Sequence, residues 1–326
     1  MKNLVNVLET FYDKKILVIG DVMLDKYTFG SVQRISPEAP VPIIIVEREE
    51  YKPGGAGNVA LNVANLSPNG EIYLFGFIGK DDNGHKLRKI LEGGGIKCYF
   101  EESGQTTMKE RVIGRSYGQQ QHIVRIDREE ISSKKFNDLS ELTKIAEKVD
   151  KIIISDYAKG TITKEFMSNL NSYKSKMIID PRPTNKDFNE IYRNAFLMTP
   201  NRDEAFKMSG IYDVDNAGEK LKKEFGSNIL ITLGKDGMKL FTINRNDKID
   251  VKTISEESFE ETGAGDTAIA TVALALDSSG NSLESLINAA KLGNIAAGIT
   301  IKHIGTYAPS FEELKEKVLS LKDEIW

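Results

Sequence analysis

Cysteine is nearly missing from these 326 residues: Cys98 stands alone, so the chain closes no internal disulfide and offers no cysteine-rich metal site. Histidine is almost as scarce. His85, His122 and His303 lie far apart without ligand spacing, which argues against zinc. No apolar run approaches the roughly 20 residues of a membrane helix. The first ten residues carry an acid and lack a long apolar core, so no leader or membrane attachment is expected, and the cytoplasm is the expected location. A formal net charge of −4 gives no basic excess for bulk binding to nucleic acid or acidic membranes. Internal repeats and low-complexity tracts do not stand out either. What is present, 40% hydrophobic and 28% charged residues, fits a globular chain long enough to bury a large core.

One late stretch organises the rest. Glu260-Glu261-Thr262-Gly263-Ala264-Gly265-Asp266-Thr267 runs into the small apolar residues 268–276. The glycines permit a tight turn and the run after them has helical composition, which predicts a turn seated on a helix N-terminus. Backbone N–H groups and the helix dipole make such a turn an anion cradle. Asp266 just inside the helix is a poor anion binder but a suitable general base for a hydroxyl attacking a phosphoryl group held there. Alternatively it is only a first-turn helix acid behind an ordinary glycine loop. The motif by itself leaves both readings open.

Along the chain, Lys15–Gly20 reads as an apolar strand with Asp21 and Asp25 following its carboxyl end, where open α/β sheets collect ligands. Residues 27–46 alternate like strands, carry Pro37, Pro40 and Pro42, and lack helical spacing. Lys52-Pro-Gly-Gly-Ala-Gly-Asn58 then opens a helix over 59–66, and a helix is expected from the glycine-bounded turn at 79–84 to about residue 92. The first glycine turn alone is more simply a loop needing positive φ, and it matches neither a dinucleotide fingerprint nor a P-loop. Strands return over 96–127, with Gly118-Gln-Gln-Gln121 interrupting them before Ile123. There Lys109, Arg111 and Arg115 fall largely on one strand face. A solvated edge carries such charges, yet three cations on one face favour a substrate phosphate. Strands at 151–155, 177–180, 195–198 and 228–232, with helices near 137–149, 163–173, 203–208 and 215–225, complete the pattern. Residues 238–243 read as an antiparallel return. Strand, helix, strand with polar or glycine punctuation at strand ends predicts a doubly wound, mostly parallel α/β sheet flanked by helices. One domain over 1–326 is expected, with a small β-strand lid built from segments at about 22–50 and 100–128.

Taken together, Pro53-Gly-Gly-Ala-Gly-Asn58, Thr199-Pro-Asn-x-x-Glu204 and Glu-Thr-Gly-Ala-Gly-Asp266 resemble the motifs of the ribokinase-like (PfkB) sugar kinases, in the same order and over nearly the whole chain. Gly20-Asp-Val-Met-Leu-Asp25, Arg34-Ile-Ser-Pro-Glu-Ala-Pro-Val-Pro42, Asp156-Tyr-Ala-Lys-Gly160 and Leu197-Met-Thr-Pro-Asn201 are similar to the heptose-7-phosphate kinases of ADP-heptose synthesis. The chain stops soon after His303-Ile-Gly-Thr306, so the nucleotidyltransferase domain fused to some of those kinases is not expected in it.

The resemblance implies roles. Asp266 is then the general base, with the N–H groups of Gly263, Ala264 and Gly265 as the anion hole. Asp25, Gly54, Gly55 and Asn58 bind sugar hydroxyls. Asn201 and Glu204 set Mg²⁺, through water, beside the nucleotide phosphates. Thr232, Gly234 and Gly237 lie against ATP, and Asn294 borders the adenine. Lys109, Arg111 and Arg115 are the candidates for the phosphate already on the substrate, with Lys159 behind them. Family members carry Asp where Glu260 stands, and that position with the Thr matching Thr262 helps some of them bind a monovalent cation. The longer Glu260 and the extra acid Glu261 argue against K⁺ activation. The expected reaction is ATP-dependent phosphorylation of D-glycero-D-manno-heptose 7-phosphate at the anomeric hydroxyl. Ribose or fructose 1-phosphate is the alternative acceptor, and a non-catalytic sugar-binding regulator is the alternative of another class. Related kinases often pair through the strand lid, so a homodimer is expected.

Overall fold

The strand Lys15–Gly20 (β1) shows why the chain folds in layers. Ile16 and Val18 enter one hydrophobic cluster while Leu17 and Ile19 enter a second. A strand buried on both faces belongs in the middle of a parallel sheet covered by helices on each side. The computed structural model describes residues 2–116, 119–130, 134–243, 248–253, 262–277 and 282–321.

After helix α1 (Lys2–Leu8) and β1, the chain forms two long strands, β2 (Val22–Ile35) and β3 (Pro42–Gly55). Helix α2 (Ala56–Leu66), β4 (Glu71–Ile78), α3 (Asp82–Gly93) and β5 (Lys97–Glu102) follow, then β6 (Met108–Ser116) and β7 (Gln119–Arg128). The regular half comprises α4 (Ser140–Lys148), β8 (Lys151–Ser155), α5 (Lys164–Ser168), β9 (Met177–Asp180), α6 (Phe188–Ile191) and β10 (Leu197–Met198). It continues with α7 (Arg202–Ser209), α8 (Val214–Phe225), β11 (Asn228–Thr232), β12 (Met238–Phe241) and β13 (Lys248–Val251). Helices α9 (Ala264–Ala275), α10 (Leu283–Thr300) and α11 (Phe311–Ser320) complete the described chain.

Nine strands make one sheet in the order β13-β12-β11-β10-β9-β8-β1-β4-β5. It is parallel from β11 to β5, with β12 and β13 added antiparallel at one edge. Residues of α2, α9, α10 and α11 pack into one cluster, and those of α4, α5, α7 and α8 into the other, so helices cover both faces. This is the doubly wound architecture expected from the strand and helix spacing. A second sheet, β3-β2-β6-β7, is built from the two segments rich in alternating residues, with β2 and β6 parallel at its centre.

The interior helices are made of small residues because they sit close to one another. In α9 every residue from Asp266 to Ala275 is buried. A Cβ on Gly293 of α10 would lie 2.8 Å from Val272 Cγ2 and 3.1 Å from the Ala268 carbonyl oxygen, so bare glycine sets the α9–α10 approach. That packing fixes the height at which α9 begins.

Several local expectations change. The stretch 163–173 is not one helix: α5 ends at Ser168 and a 3₁₀ turn covers Asn171–Lys176. Gln119–Gln121 do not interrupt the strand but start β7, pairing with Ser116, Arg115 and Gly114. Polar composition hid that pairing because the segment is exposed and has no apolar face to alternate. Strand β13 and helices α6 and α11 were not read from the sequence. Among the described residues no helix is long and apolar enough to cross a membrane.

Candidate active site

The carboxyl ends of β1, β8, β9 and β10 open toward the start of α9. Asp21, directly after β1, is 2% exposed and collects a loop. Its Oδ2 accepts N–H groups from Tyr157 at 2.9 Å and Lys159 at 3.0 Å, and its Oδ1 accepts that of Thr161 at 3.1 Å. These bonds, with Ala158 N–H donating to Asp156 Oδ1 at 2.6 Å, hold Ala158 at φ 55°, a left-handed conformation that a non-glycine residue needs help to keep. The consequence is the position of Tyr157, whose hydroxyl donates to Asp266 Oδ1 at 3.0 Å.

Asp266 itself lies in the first turn of α9 and is 5% exposed. Asn58, from the first turn of α2, donates through Nδ2 to its other oxygen, Oδ2, at 2.7 Å. Burial pushes the Asp266 carboxyl up to about 6; the two donors pull it down, Asp25 pushes it up and Lys109 pulls it down. A carboxylate tuned to that range is ionised at neutral pH yet basic enough to accept a proton. Gly263, the residue before α9, has φ 82°, and a Cβ there would lie 3.1 Å from Asn58 Nδ2. Among the described residues no side-chain cap bond is made at Gly263, the residue that opens this helix.

Two cavities meet at this helix start. The smaller, about 180 Å³, is lined by Asp156, Tyr157, Asp180, Arg182, Glu204 and Asp266 among others. The larger, about 590 Å³, is lined by Thr232, Gly234, Gly237, Thr253, Ala264 and Asn294 among others. Asn201, Thr232, Gly265 and Ala268 border both. The residues assigned to the nucleotide from sequence therefore gather around one cavity. Asn294 is already partly engaged there, donating through Nδ2 to the Lys252 carbonyl at 2.7 Å.

Other candidates sit differently from the expectation. Asn58 is 1% exposed and turned to Asp266, not to open space for a sugar hydroxyl. Arg111 pairs with Asp25 at 2.7 Å, with side chains 11% and 5% exposed, so both groups face each other first. Gly54 lets that carboxylate approach, since a Cβ would lie 2.6 Å from Asp25 Oδ2, while Gly55 precedes α2 at φ 57°. Arg115 is a correction. Six residues beyond Lys109 on β6, at about 3.3 Å each, it lies roughly 20 Å further along the strand, where it bonds Glu47 at 3.1 Å with half its side chain exposed. The alternation was right, but strand length separates charges that share a face. Lys159 pairs with Glu129 at 2.5 Å. Lys109 makes no hydrogen bond or salt bridge among the described residues; it sits 5.7 Å from the Tyr157 ring centre, and burial lowers it against the pull of Asp25 and Asp127.

Asn201 and Glu204 form a reciprocal capping box at the start of α7: Glu204 N–H donates to Asn201 Oδ1 at 2.9 Å and Asn201 N–H to Glu204 Oε2 at 3.0 Å. Glu204 Oε1 also meets Arg182 Nη1 at 3.3 Å, and burial raises its carboxyl despite both donors. Across the cavity, burial and the nearby Glu204 and Asp266 carboxylates push Asp180 well above the ordinary range. The residues missed from sequence are Tyr157, Asp180 and Arg182. Tyr157 stands inside the Asp156–Gly160 motif without an assigned role, and the signal for Asp180 and Arg182 is position alone, at and just after the carboxyl end of β9. Glu260 and Glu261 lie outside the described residues.

Comparison with known proteins agrees with this geometry. The family described as pfkB family carbohydrate kinase matches residues 13–313. The chain is 36% identical over 322 residues to "Bifunctional protein HldE" of a Nitratiruptor species, covering 94% of this chain and 66% of that protein. It is 37% identical over 333 residues to the protein of the same name from Sulfurimonas denitrificans, covering 97% and 66%. The chain thus spans just under two thirds of the length of these relatives. In fold it is similar to ribokinase of Thermotoga maritima, with a TM-score of 0.72, 23% identity and coverage of 94% of this chain and 100% of that one. Phosphofructokinase-2 of Escherichia coli, solved with substrates and products, gives a TM-score of 0.73 at 18% identity, covering 94% and 99%. The chain belongs to the pfkB family of carbohydrate kinases, and it is a sugar kinase, a phosphotransferase.

Asp266 is expected to act ionised, so activity should be complete above its titration and fall as pH drops through about 6. Asp266→Asn is expected to lower kcat by roughly 10²–10⁴ with ATP affinity retained, read by steady-state kinetics and calorimetry. A variant turning over within a few-fold of the parent would contradict the assignment.

Proposed function

We propose that this kinase uses ATP with Mg²⁺ to phosphorylate the anomeric hydroxyl of D-glycero-D-manno-heptose 7-phosphate, giving the 1,7-bisphosphate, in the cytoplasm. The observation that carries the reading is the buried Asp266, accepting from two donors in the first turn of a helix whose start borders two cavities, the larger of them lined by the residues expected at the nucleotide. The heptose itself rests on the similarity of the 20–25, 34–42, 156–160 and 197–201 segments to heptose-7-phosphate kinases.

In the reaction, Asp266 takes the proton of the acceptor hydroxyl as that oxygen bonds to the γ-phosphorus. The bond from phosphorus to the β,γ-bridging oxygen breaks, ADP carries away the electron pair, and the proton stays on Asp266 until the site opens to solvent. The uncapped N–H groups at Gly263–Gly265 face the transferring group, where negative charge spreads over its outer oxygens. Tyr157 and Asn58 hold Asp266 in place while it works.

The residues also suit a hydrated divalent cation. Glu204 borders the smaller cavity with its carboxylate already holding Asn201 N–H and Arg182, which leaves it to act through water and not by direct ligation. Magnesium keeps several waters and uses few carboxylates when phosphates share its shell. Bound there, it would neutralise charge on the β- and γ-phosphates.

For the phosphate carried by the sugar, Lys109 is the supported candidate. It makes no ion pair among the described residues and sits 5.7 Å from the ring centre of Tyr157, whose hydroxyl reaches Asp266, whereas Arg111 is engaged with Asp25. A homodimer through the second sheet is part of the same reading. Ile35, Val41, Ile45, Val46, Val124 and Ile126 are exposed apolar residues on β2, β3, β7 and the turn joining β2 to β3, and a second copy would cover them.

Turnover across sugars tests the acceptor. Heptose 7-phosphate should exceed ribose and fructose 1-phosphate in kcat/KM, and Lys109→Met should raise KM for the phosphorylated sugar by roughly 10-fold or more. Faster turnover of an unphosphorylated sugar would reject the assignment. Light scattering should give twice the chain mass; a monomer at micromolar concentration would reject the pairing.

A further inference from the structure

Behind Asp266 and its donor Asn58 runs a buried line of three polar side chains, Asn62, Thr267 and Thr300, that none of the chemistry above uses. Thr300, at the end of α10, lies with its Oγ1 at 2.9 Å from Thr267 Oγ1. The Thr267 hydroxyl is 2.8 Å from Asn62 Oδ1, and Asn62 Nδ2 is 3.3 Å from Asn58 Oδ1 and 2.9 Å from the Asn58 carbonyl. Asn58 Nδ2 closes the line on Asp266 at 2.7 Å. Asn58 is 1% exposed, and Asn62, Thr267 and Thr300 are each 0% exposed.

The donors can all point the same way. Thr300 donates to Thr267, Thr267 donates to Asn62, Asn62 donates to Asn58, and Asn58 donates to the carboxylate. The alternative acceptors of Thr300, the carbonyls of Ala296 and Tyr307, are further off at 3.4 and 3.3 Å, and that of Thr267, the Gly263 carbonyl, lies at 3.1 Å against 2.8 Å to Asn62 Oδ1. A carboxamide has two ends, and only its NH₂ end stabilises an ionised neighbour. If Asn58 turned over, its oxygen would face the Asp266 carboxylate and its NH₂ would face the NH₂ of Asn62. We infer that Asn62 and Thr267 are positioning residues that hold the Asn58 carboxamide with its NH₂ toward Asp266.

The inference rests on the reading of Asp266 as the general base, for which the supply of donors decides when it is ionised. Aligned hydrogen bonds polarise one another, so losing one inner link weakens the last. The charged and titratable groups facing Asp266 from other elements are Tyr157 after β8, Asp25 on β2, Lys109 on β6 and Asp180 at the end of β9. None belongs to the line from Thr300 to Asn58, so a change confined to that line leaves them in place.

The experiment is a titration of the Asp266 carboxyl by carbon-13 NMR in the full chain, its signal assigned with Asp266→Asn, without any substrate present. Thr267→Val keeps the shape and removes the hydroxyl; Asn62→Leu removes the amide; Thr267→Ser keeps the hydroxyl. In Thr267→Val and Asn62→Leu the midpoint is expected to move up by roughly half a unit, because the anion loses support, while Thr267→Ser stays with the parent. If Asn62→Leu does not fold, Thr267→Val against Thr267→Ser decides alone. Unmoved midpoints, or an equal rise in Thr267→Ser, overturn the inference. Full turnover by Asp266→Asn would instead remove the general-base reading on which it stands, whatever the titration gives.

Discussion

A carboxylate taken out of water and then given back two donors is the interaction on which the rest of this site depends. Burial by itself would keep Asp266 protonated, since an isolated buried ion is penalised by several kcal/mol. The Tyr157 hydroxyl and the Asn58 amide reverse part of that and leave its titration near 6. The two donors come from opposite directions, one from the loop after β8 and one from α2. Asp266 is therefore correctly tuned only when the sheet, α2 and α9 are assembled together, which ties the chemistry to the fold.

The fold supplies that convergence through simple rules. Parallel strands buried on both faces force their polar residues to the strand ends, and the carboxyl ends of β1, β8 and β9 bring Asp21, Asp156, Asp180 and the Tyr157 loop to one edge. Asp21 acts there without touching the smaller cavity: three backbone donors on one carboxylate fix the loop and hold Ala158 in a conformation it would otherwise leave. Small residues do the corresponding work behind the site. The glycine at 293 and the alanines of α9 allow two helices to lie against each other, so that α9 starts level with the strand ends.

Much of this was legible in the sequence because it depends on local patterns. Apolar strands bounded by glycine or acids, and glycine turns opening helices, gave the layers and the order of elements. It is the resemblance to the sugar kinases, and not local pattern, that joins Asp266 and Gly263 to the nucleotide-side residues Thr232, Gly234, Gly237 and Asn294. What local pattern could not carry was distance along an element and the partner each polar group chooses. Lys109 and Arg115 share a strand face, but six residues of strand hold them far apart, and Glu47 takes the second. Arg111 is expected at a phosphate, yet it reaches across to pair with Asp25 of the adjoining strand, two residues out of register. The resemblance puts Asn58 at a sugar hydroxyl; its side chain is instead buried and donates to Asp266. Tyr157 lies inside the Asp156–Gly160 motif, but the motif gives it no role, since that role comes from a loop conformation set by Asp21, 136 residues earlier.

The central claim is spatial: one carboxylate reaches the acceptor oxygen while the amides before it hold the migrating phosphoryl group. A crystal structure with ADP, Mg²⁺, aluminium fluoride and heptose 7-phosphate would measure it directly. The account expects an Asp266 oxygen within hydrogen-bond distance of the anomeric oxygen and the fluoride plane against the N–H groups of Gly263–Gly265. An aluminium centre bound away from that turn, or an acceptor oxygen facing a different base, would contradict it.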